Sequence, residues 1–200
     1  MDLAHVAQNI TPEALPPGLY VTATPIGNAA DLTLRALKTL ISCDPILCED
    51  TRVTSKLLAI YGISKPLRPY HDRNGKMARP GILKDLGAGK ALVLVSDAGL
   101  PLISDPGFPL LRAAQEAGFK VEVLPGANAA LTALALSGMP PDRFWFGGFL
   151  PTKSAARQTA LEPLVGLDAS LIFYESPKRL GPVLQDLAAV LGGRRIGVRR

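Results

Sequence analysis

From Leu19 to the end of the chain, short apolar or β-branched runs alternate with helical patterns about ten residues long. Strand after helix after strand, with each connection long enough to cross a sheet, describes βα units and a largely parallel sheet, so an α/β fold is expected. The strand candidates are Leu19 to Ala23, Pro45 to Cys48, Leu67 to Tyr70, Ala91 to Val95 and Lys120 to Leu124. Helix starts are readable too. Asp31 is expected to cap a helix over Leu32 to Ile41, Thr51 one running to Tyr61, and Pro80 suits a first helical position. Gly62 and Gly118 read as helix stops.

The pattern changes character after Pro125, which sets the expected domains as a flexible arm at 1–18, an N-terminal α/β domain at 19–124 and a C-terminal one at 125–200. In the last of these, Ala127 to Leu136 reads as a helix of small residues and Arg143 to Phe149 as an aromatic strand whose alternation puts half its rings in the core. Helix over Thr152 to Val165, strand over Ser170 to Glu175 and helix over Pro177 to Leu191 follow. Ile196 to Arg199 looks like a strand start, so this domain reads as truncated.

Composition excludes several classes. The longest apolar stretch, Ala129 to Met139, is interrupted by Thr132, Ser137 and Gly138 and is shorter than the roughly 20 residues of a membrane helix. Residues 1–18 carry neither the basic start nor the apolar run of a secretory signal, which points to the cytoplasm and no membrane partner. Cys43 and Cys48, the only cysteines, match no redox or zinc spacing, and with His5 and His71 the only histidines no metal is expected. Charge is segregated: residues 52–90 hold nine Lys/Arg against two Asp/Glu, and residues 1–51 hold two against six. A basic stretch of this kind suits a phosphate-rich partner as well as it suits a solvated surface.

In a parallel sheet, ligands gather beyond the carboxyl ends of the strands. Five sequences fall there: TPIGNAAD (Thr24 to Asp31), EDTR (Glu49 to Arg52), HDRN (His71 to Asn74), SDAGLPLISDPG (Ser96 to Gly107) and PGAN (Pro125 to Asn128). Their Gly, Pro, Ser and Asp content allows tight turns and close backbone approach, so a ligand cleft is expected on that rim. No GxGxxG, GxxxxGK[ST] or GxSxG occurs, which removes the usual support for dinucleotide, P-loop and nucleophile-elbow chemistry. Of the adjacent Glu49 and Asp50, only one is expected to face a cleft; the other caps the next helix or pairs with Arg52. Asp105 reads as a cap for a helix at Phe108, and Lys153, Arg157, Lys178 and Arg179 as surface cations.

TPIGNAADLTLRAL, CEDTR, SDAGLPLISDPG, VLPGANA, GFLP and FYESPKR occur in that order, and together they resemble the bacterial ribosomal RNA small-subunit methyltransferase I family, relatives of the tetrapyrrole methylases. The resemblance implies two α/β domains with the cofactor cleft between them, a homodimer, and transfer of a methyl group from S-adenosylmethionine to the ribose 2′-oxygen of a decoding-centre cytidine in 16S rRNA. Carried over motif by motif, it implies cofactor contacts at Pro25, Asp97, Ala98, Gly99, Ile103, Ser104, Pro125, Gly126, Ala127, Phe149 and Leu150. Asp50 or Glu49, with Glu175 as a further candidate, would orient or deprotonate the hydroxyl. Asn28, Arg52, His71, Arg73, Lys153, Lys178 and Arg179 would bind RNA. Asn28 stands where tetrapyrrole enzymes carry an acidic residue, which turns the expectation away from a porphyrinoid substrate. Gly75 stands where the ribosomal family usually has Glu after HxxN, and Lys178 where it often has His. A tetrapyrrole methyltransferase and a non-catalytic RNA-binding assembly factor remain the alternatives.

Overall fold

A computed structural model describes residues 2–199, which divide into two compact units with the boundary between Asn128 and Ala129. The first is organised by two strands with no polar face. β1 (Gly18–Thr22) and β4 (Ala91–Val95) are buried at every position, as central strands of a parallel sheet covered on both sides must be. With β2 (Ile46–Cys48), β3 (Leu67–Pro69) and β5 (Val121–Leu124) they form one sheet in the order β3-β2-β4-β1-β5, every pair parallel.

Helices cover both faces. On one side α1 (Leu3–Gln8), α2 (Leu34–Ser42) and α3 (Thr51–Ile60) bury residues such as Ala7, Leu37, Leu40 and Leu58 against Tyr20, Ile46, Val93 and Val95. On the other, α4 (Gly75–Gly87) and α5 (Phe108–Glu116) pack Ile82, Leu86, Leu110 and Ala114 onto Leu19, Val21, Leu92 and Leu94. Each fully buried Leu or Ile contributes on the order of 1.5–3 kcal/mol of transfer free energy, so these two layers carry the stability of the unit.

Several local expectations shift. The arm is not loose: Asp2 caps α1, whose Ala7, Leu3 and Val6 pack on the first core. Thr33, not Asp31, caps α2, because residues 29–31 form a short 3-10 turn first. Thr51 opens α3, with Asp50 as its cap. Pro80 lies inside α4, since Asn74 and Gly75 start that helix earlier; the ring leaves the Lys76 carbonyl without its usual partner. Asp105 caps nothing, because Gly107, at φ +130°, is the residue preceding α5.

The second unit holds α6 (Ala129–Ser137), β6 (Phe144–Phe149), α7 (Ser154–Leu161), β7 (Ser170–Tyr174) and α8 (Leu180–Leu191), with β6 and β7 parallel. Its core is Leu150, Leu161, Leu164 and Val183. A two-stranded sheet is too narrow to bury the aromatic strand, and Phe144, Trp145 and Phe149 remain 47%, 37% and 57% exposed, so the expected core placement fails for them. Residues 196–199 form no strand; Arg199 instead donates to the Leu136 carbonyl at 2.9 Å. Among the described residues no helix is long and apolar enough to cross a membrane.

Candidate functional site

The register of the five-stranded sheet decides which loops meet. Thr22 pairs with Val95 and with Leu124, Leu47 with Leu94, and Cys48 with Pro69, so the five strands end at one level. Ala23 and Thr24, Glu49 and Asp50, His71, Ser96 and Asp97, and Pro125 and Gly126 therefore emerge along a single rim. Pro25, Asn28, Arg52, Arg73, Ala98, Gly99, Ile103, Ser104 and Ala127 lie on the same loops.

Two of those loops are bound to each other. Thr24 and Gly99 exchange backbone hydrogen bonds, 2.9 Å in each direction. The Thr24 hydroxyl donates to the Ser96 carbonyl at 3.0 Å, and the Ser96 hydroxyl donates to the Gly99 carbonyl at 2.8 Å. Gly99 has φ +85°, a conformation that suits glycine, while Leu102 and Ser104 adopt φ of 77° and 64° further along the loop. Non-glycine residues in this region cost about 1 kcal/mol or more each, so the loop is held in shape by its surroundings. At Gly126 a Cβ would stand 2.7 Å from the Cβ of Ala23, so the loop after β5 lies directly against the end of β1.

The neighbouring carboxylates have separate fates. Asp50 caps α3 through the Arg52 amide at 2.8 Å and takes the Arg52 guanidinium at 2.6 Å and 3.0 Å; those hydrogen bonds hold its carboxyl down at about 2. Arg52 remains 85% exposed beyond this pair. Glu49 instead is pushed up, first by burial and then by Asp97 and Asp72, with His71 opposing. Asp97 accepts from the Asp50 amide at 3.2 Å. Asp105 is pushed up to about 6 by burial and by Glu49 and Asp97, against a hydrogen bond from Ser96. Glu49, Asp97 and Asp105 thus form a mutually repelling group of acceptors at the rim, beside His71, whose Nδ1 is buried with no partner among the described residues.

Asn28 uses its side-chain oxygen on the Ala30 amide at 3.0 Å, as the cap of the 3-10 turn. Arg73 is exposed, Ile103 36% exposed, and Ser104 exposed.

The second unit arranges its candidates around the ends of β6 and β7. Arg157, read from sequence as a surface cation, is 3% exposed. It donates to Asp186 at 2.7 Å and, through Nη1, to the carbonyls of Pro151 at 3.0 Å and Thr152 at 3.2 Å. Arg179 donates to the carbonyls of Leu150 at 2.8 Å and Pro151 at 3.2 Å, and stands 3.1 Å from Glu175. The chain leaving β6 is therefore fixed by two guanidinium groups, because Leu150, Pro151 and Thr152 lie past the end of the strand and their carbonyls need other donors. Glu175, 8% exposed in its side chain, also accepts from the Ser176 amide at 2.8 Å. Leu150 belongs to the core, whereas Phe149, Lys153 and Lys178 are exposed. The inward use of Arg157 and Arg179 was not legible from sequence, where nothing marks which cation has a buried carboxylate and bare carbonyls to meet; Asp105 was hidden behind the more ordinary role of a helix cap.

The profile of the family described as Tetrapyrrole (Corrin/Porphyrin) Methylases matches residues 18–199. A protein of Erythrobacter litoralis named ribosomal RNA small subunit methyltransferase I is 53% identical over 94% of this chain and 66% of its own length. One of the same name from Haemophilus influenzae is 51% identical over 88% of this chain and 62% of its own length. The chain spans about 62% of the length of the curated relatives it matches. Among solved structures, uroporphyrin-III-C-methyltransferase from Thermus thermophilus superposes with a TM-score of 0.61 at 20% identity, covering 86% of this chain and 74% of the other, a likeness of fold.

Proposed function

Because the chain belongs to the tetrapyrrole methylase family, and within it to the ribosomal RNA small subunit methyltransferase I sequences, we propose that it transfers a methyl group from S-adenosylmethionine to the ribose 2′-oxygen of a decoding-centre cytidine in 16S rRNA. It would work in the cytoplasm, as a homodimer. The observation that carries this reading is the rim itself, where one sheet edge presents a tied pair of loops next to three carboxylates whose charges are not neutralised by one another.

The cofactor's reactive part is a methyl group on a positively charged sulfonium, which an oxygen nucleophile displaces. Acceptors suit such a molecule: carboxylates at Asp97 and Asp105 can take hydrogen bonds from its hydroxyl and ammonium groups and offset its positive charge. The close seat of Gly126 against Ala23 leaves backbone rather than side chain facing the rim, which suits a flat ligand. Pro25, Asp97, Ala98, Gly99, Ile103, Ser104, Pro125, Gly126 and Ala127, all on the rim of the first unit, would hold it.

The protein's main contribution is alignment of the hydroxyl and exclusion of water, worth several kcal/mol when the geometry is fixed in advance. Glu49 is the residue suited to take the hydroxyl proton, since burial and its acidic neighbours raise its basicity. Asp50 is already engaged by Arg52 and is too weak a base for this. Glu175 is committed to Arg179 and the Ser176 amide, which makes it a positioning residue for the GFLP segment. Arg52, His71, Arg73, Lys153 and Lys178 would hold RNA phosphates, while Asn28 and Arg179 shape loops. Incubation with labelled S-adenosylmethionine and small ribosomal subunits lacking the modification tests the reading, with label appearing in 16S rRNA; unlabelled RNA contradicts it.

A further inference from the structure

The cations between Arg52 and Lys90 are not all available to a partner. Arg68 and Lys90 both pair with Asp85, and Lys65 donates to the Cys43 carbonyl at 2.7 Å. On α4, Lys76 and Arg79 are three residues apart and so share a helix face. Arg79 lines a groove of about 350 Å³ whose other side is α5, with Phe108, Pro109, Arg112, Ala113 and Glu116. The Nε of Arg79 is buried there with no hydrogen-bond partner among the described residues. A guanidinium N–H removed from water without an acceptor is costly, and an incoming anion would satisfy it.

Two further features define what fits. Phe108, the first residue of α5, is 60% exposed, while the helix buries Leu110 and Ala114 instead. Arg112 lines the same groove as Arg79 and stays largely exposed; its bond to Glu116 at 2.7 Å uses Nε, and the guanidinium carries further N–H donors. Because α4 follows β3 and α5 follows the loop after β4, both helices begin at the rim that carries Glu49 and Asp97. An open aromatic ring beside two guanidinium groups is the combination that takes single-stranded nucleic acid, with the ring stacking a base and the cations holding phosphate.

We propose that the groove between α4 and α5 is a subsite for single-stranded RNA flanking the target nucleotide, with a backbone phosphate on Arg79 and Arg112 and a base on Phe108. The proposal rests on the reading of the chain as an RNA methyltransferase and adds a place on the surface through which the substrate strand runs. Glu116 opposes the phosphate and limits affinity at this point.

The test is fluorescence anisotropy of a labelled single-stranded RNA of about 20 nucleotides with the full chain across a salt series. Phe108→Ala should weaken binding about fivefold or more, with Phe108→Tyr close to the parent. Arg79→Gln and Arg112→Gln should each flatten the plot of log affinity against log salt by roughly 0.7. Glu116→Gln should tighten binding. Unchanged melting temperature in Phe108→Ala, expected for an exposed ring, assigns its effect to RNA. If the parent binds RNA and Phe108→Ala and Arg79→Gln match it in affinity and salt slope, the subsite is overturned and the methyltransferase reading stands. If the parent binds no RNA, both fall.

Discussion

Thr24 and Gly99 exchange two backbone hydrogen bonds of 2.9 Å, joining the loop after β1 to the loop after β4 across neighbouring strands. The bridge follows the parallel ladder of β1 and β4 but runs in the antiparallel sense, so one of the two chains reverses direction at the rim. Ser96 reinforces it from both sides, as acceptor for Thr24 and donor to Gly99. A site built on that clasp is preorganised by the sheet rather than by the ligand.

Gly126 has no spare room. Its missing Cβ would stand 2.7 Å from the Ala23 Cβ, and its φ is not left-handed, so a substitution there acts through space alone. Gly126→Ala should destabilise the fold by about 1–3 kcal/mol and weaken S-adenosylmethionine binding. Adding Ala23→Gly should restore much of both. Urea unfolding and calorimetric titration of the four proteins give the coupling; additive effects would place the clash elsewhere.

Asp105 gives a pH signature. Its carboxyl is raised to about 6 in the folded protein from 3.8, so between those values the folded form binds more protons than the unfolded chain. Stability therefore falls as pH rises through that window. Asp105→Asn removes the penalty and should raise stability at pH 8 by roughly 1 kcal/mol after allowance for solvent screening, with the gain shrinking towards the acid end. Denaturation at several pH values reads this directly, and a gain that grows on acidification would contradict it.

Glu49 and Asp50 are adjacent, and their substitutions separate chemistry from structure. Glu49→Gln should lower single-turnover methyl transfer by about 10² or more. Asp50→Asn keeps an oxygen for the α3 cap and should stay within about threefold of the parent. The opposite ranking would move the proton acceptor to Asp50.

Arg157 joins Asp186, Pro151 and Thr152 from a position 3% exposed. Arg157→Met leaves Asp186 buried without its cation and should cost about 3–5 kcal/mol. Combined with Asp186→Asn the loss should be smaller than the sum of the two. Thermal melts and urea curves provide the values; a loss below 1 kcal/mol would show that the pair is not a structural hub.

Much of this architecture was legible because the physics that builds it is local. All-apolar runs such as Ala91 to Val95 need cover on both faces, and the βα rhythm then dictates parallel strands and a shared rim for five loops. Helix starts were less legible. Asp31, Thr33, Asp50 and Thr51 are all competent caps, and tertiary packing chose Thr33 and Asp50. The aromatic strand misled because alternation assumes a second layer on each face, which a two-stranded sheet does not provide for Trp145 or Phe149. Asp105, Arg157 and Arg179 take their meaning from partners distant in sequence, and no spacing rule reports those.

The most direct test of the account is the chemical position of the transferred methyl group. Small subunits from cells lacking this modification would be labelled with methyl-tritiated S-adenosylmethionine by the purified chain, and the 16S rRNA digested to nucleosides and mapped. The account predicts label on a single cytidine ribose of the decoding centre, marked by alkali resistance of the following phosphodiester bond. Label on a base, or on RNA outside the decoding centre, would contradict it.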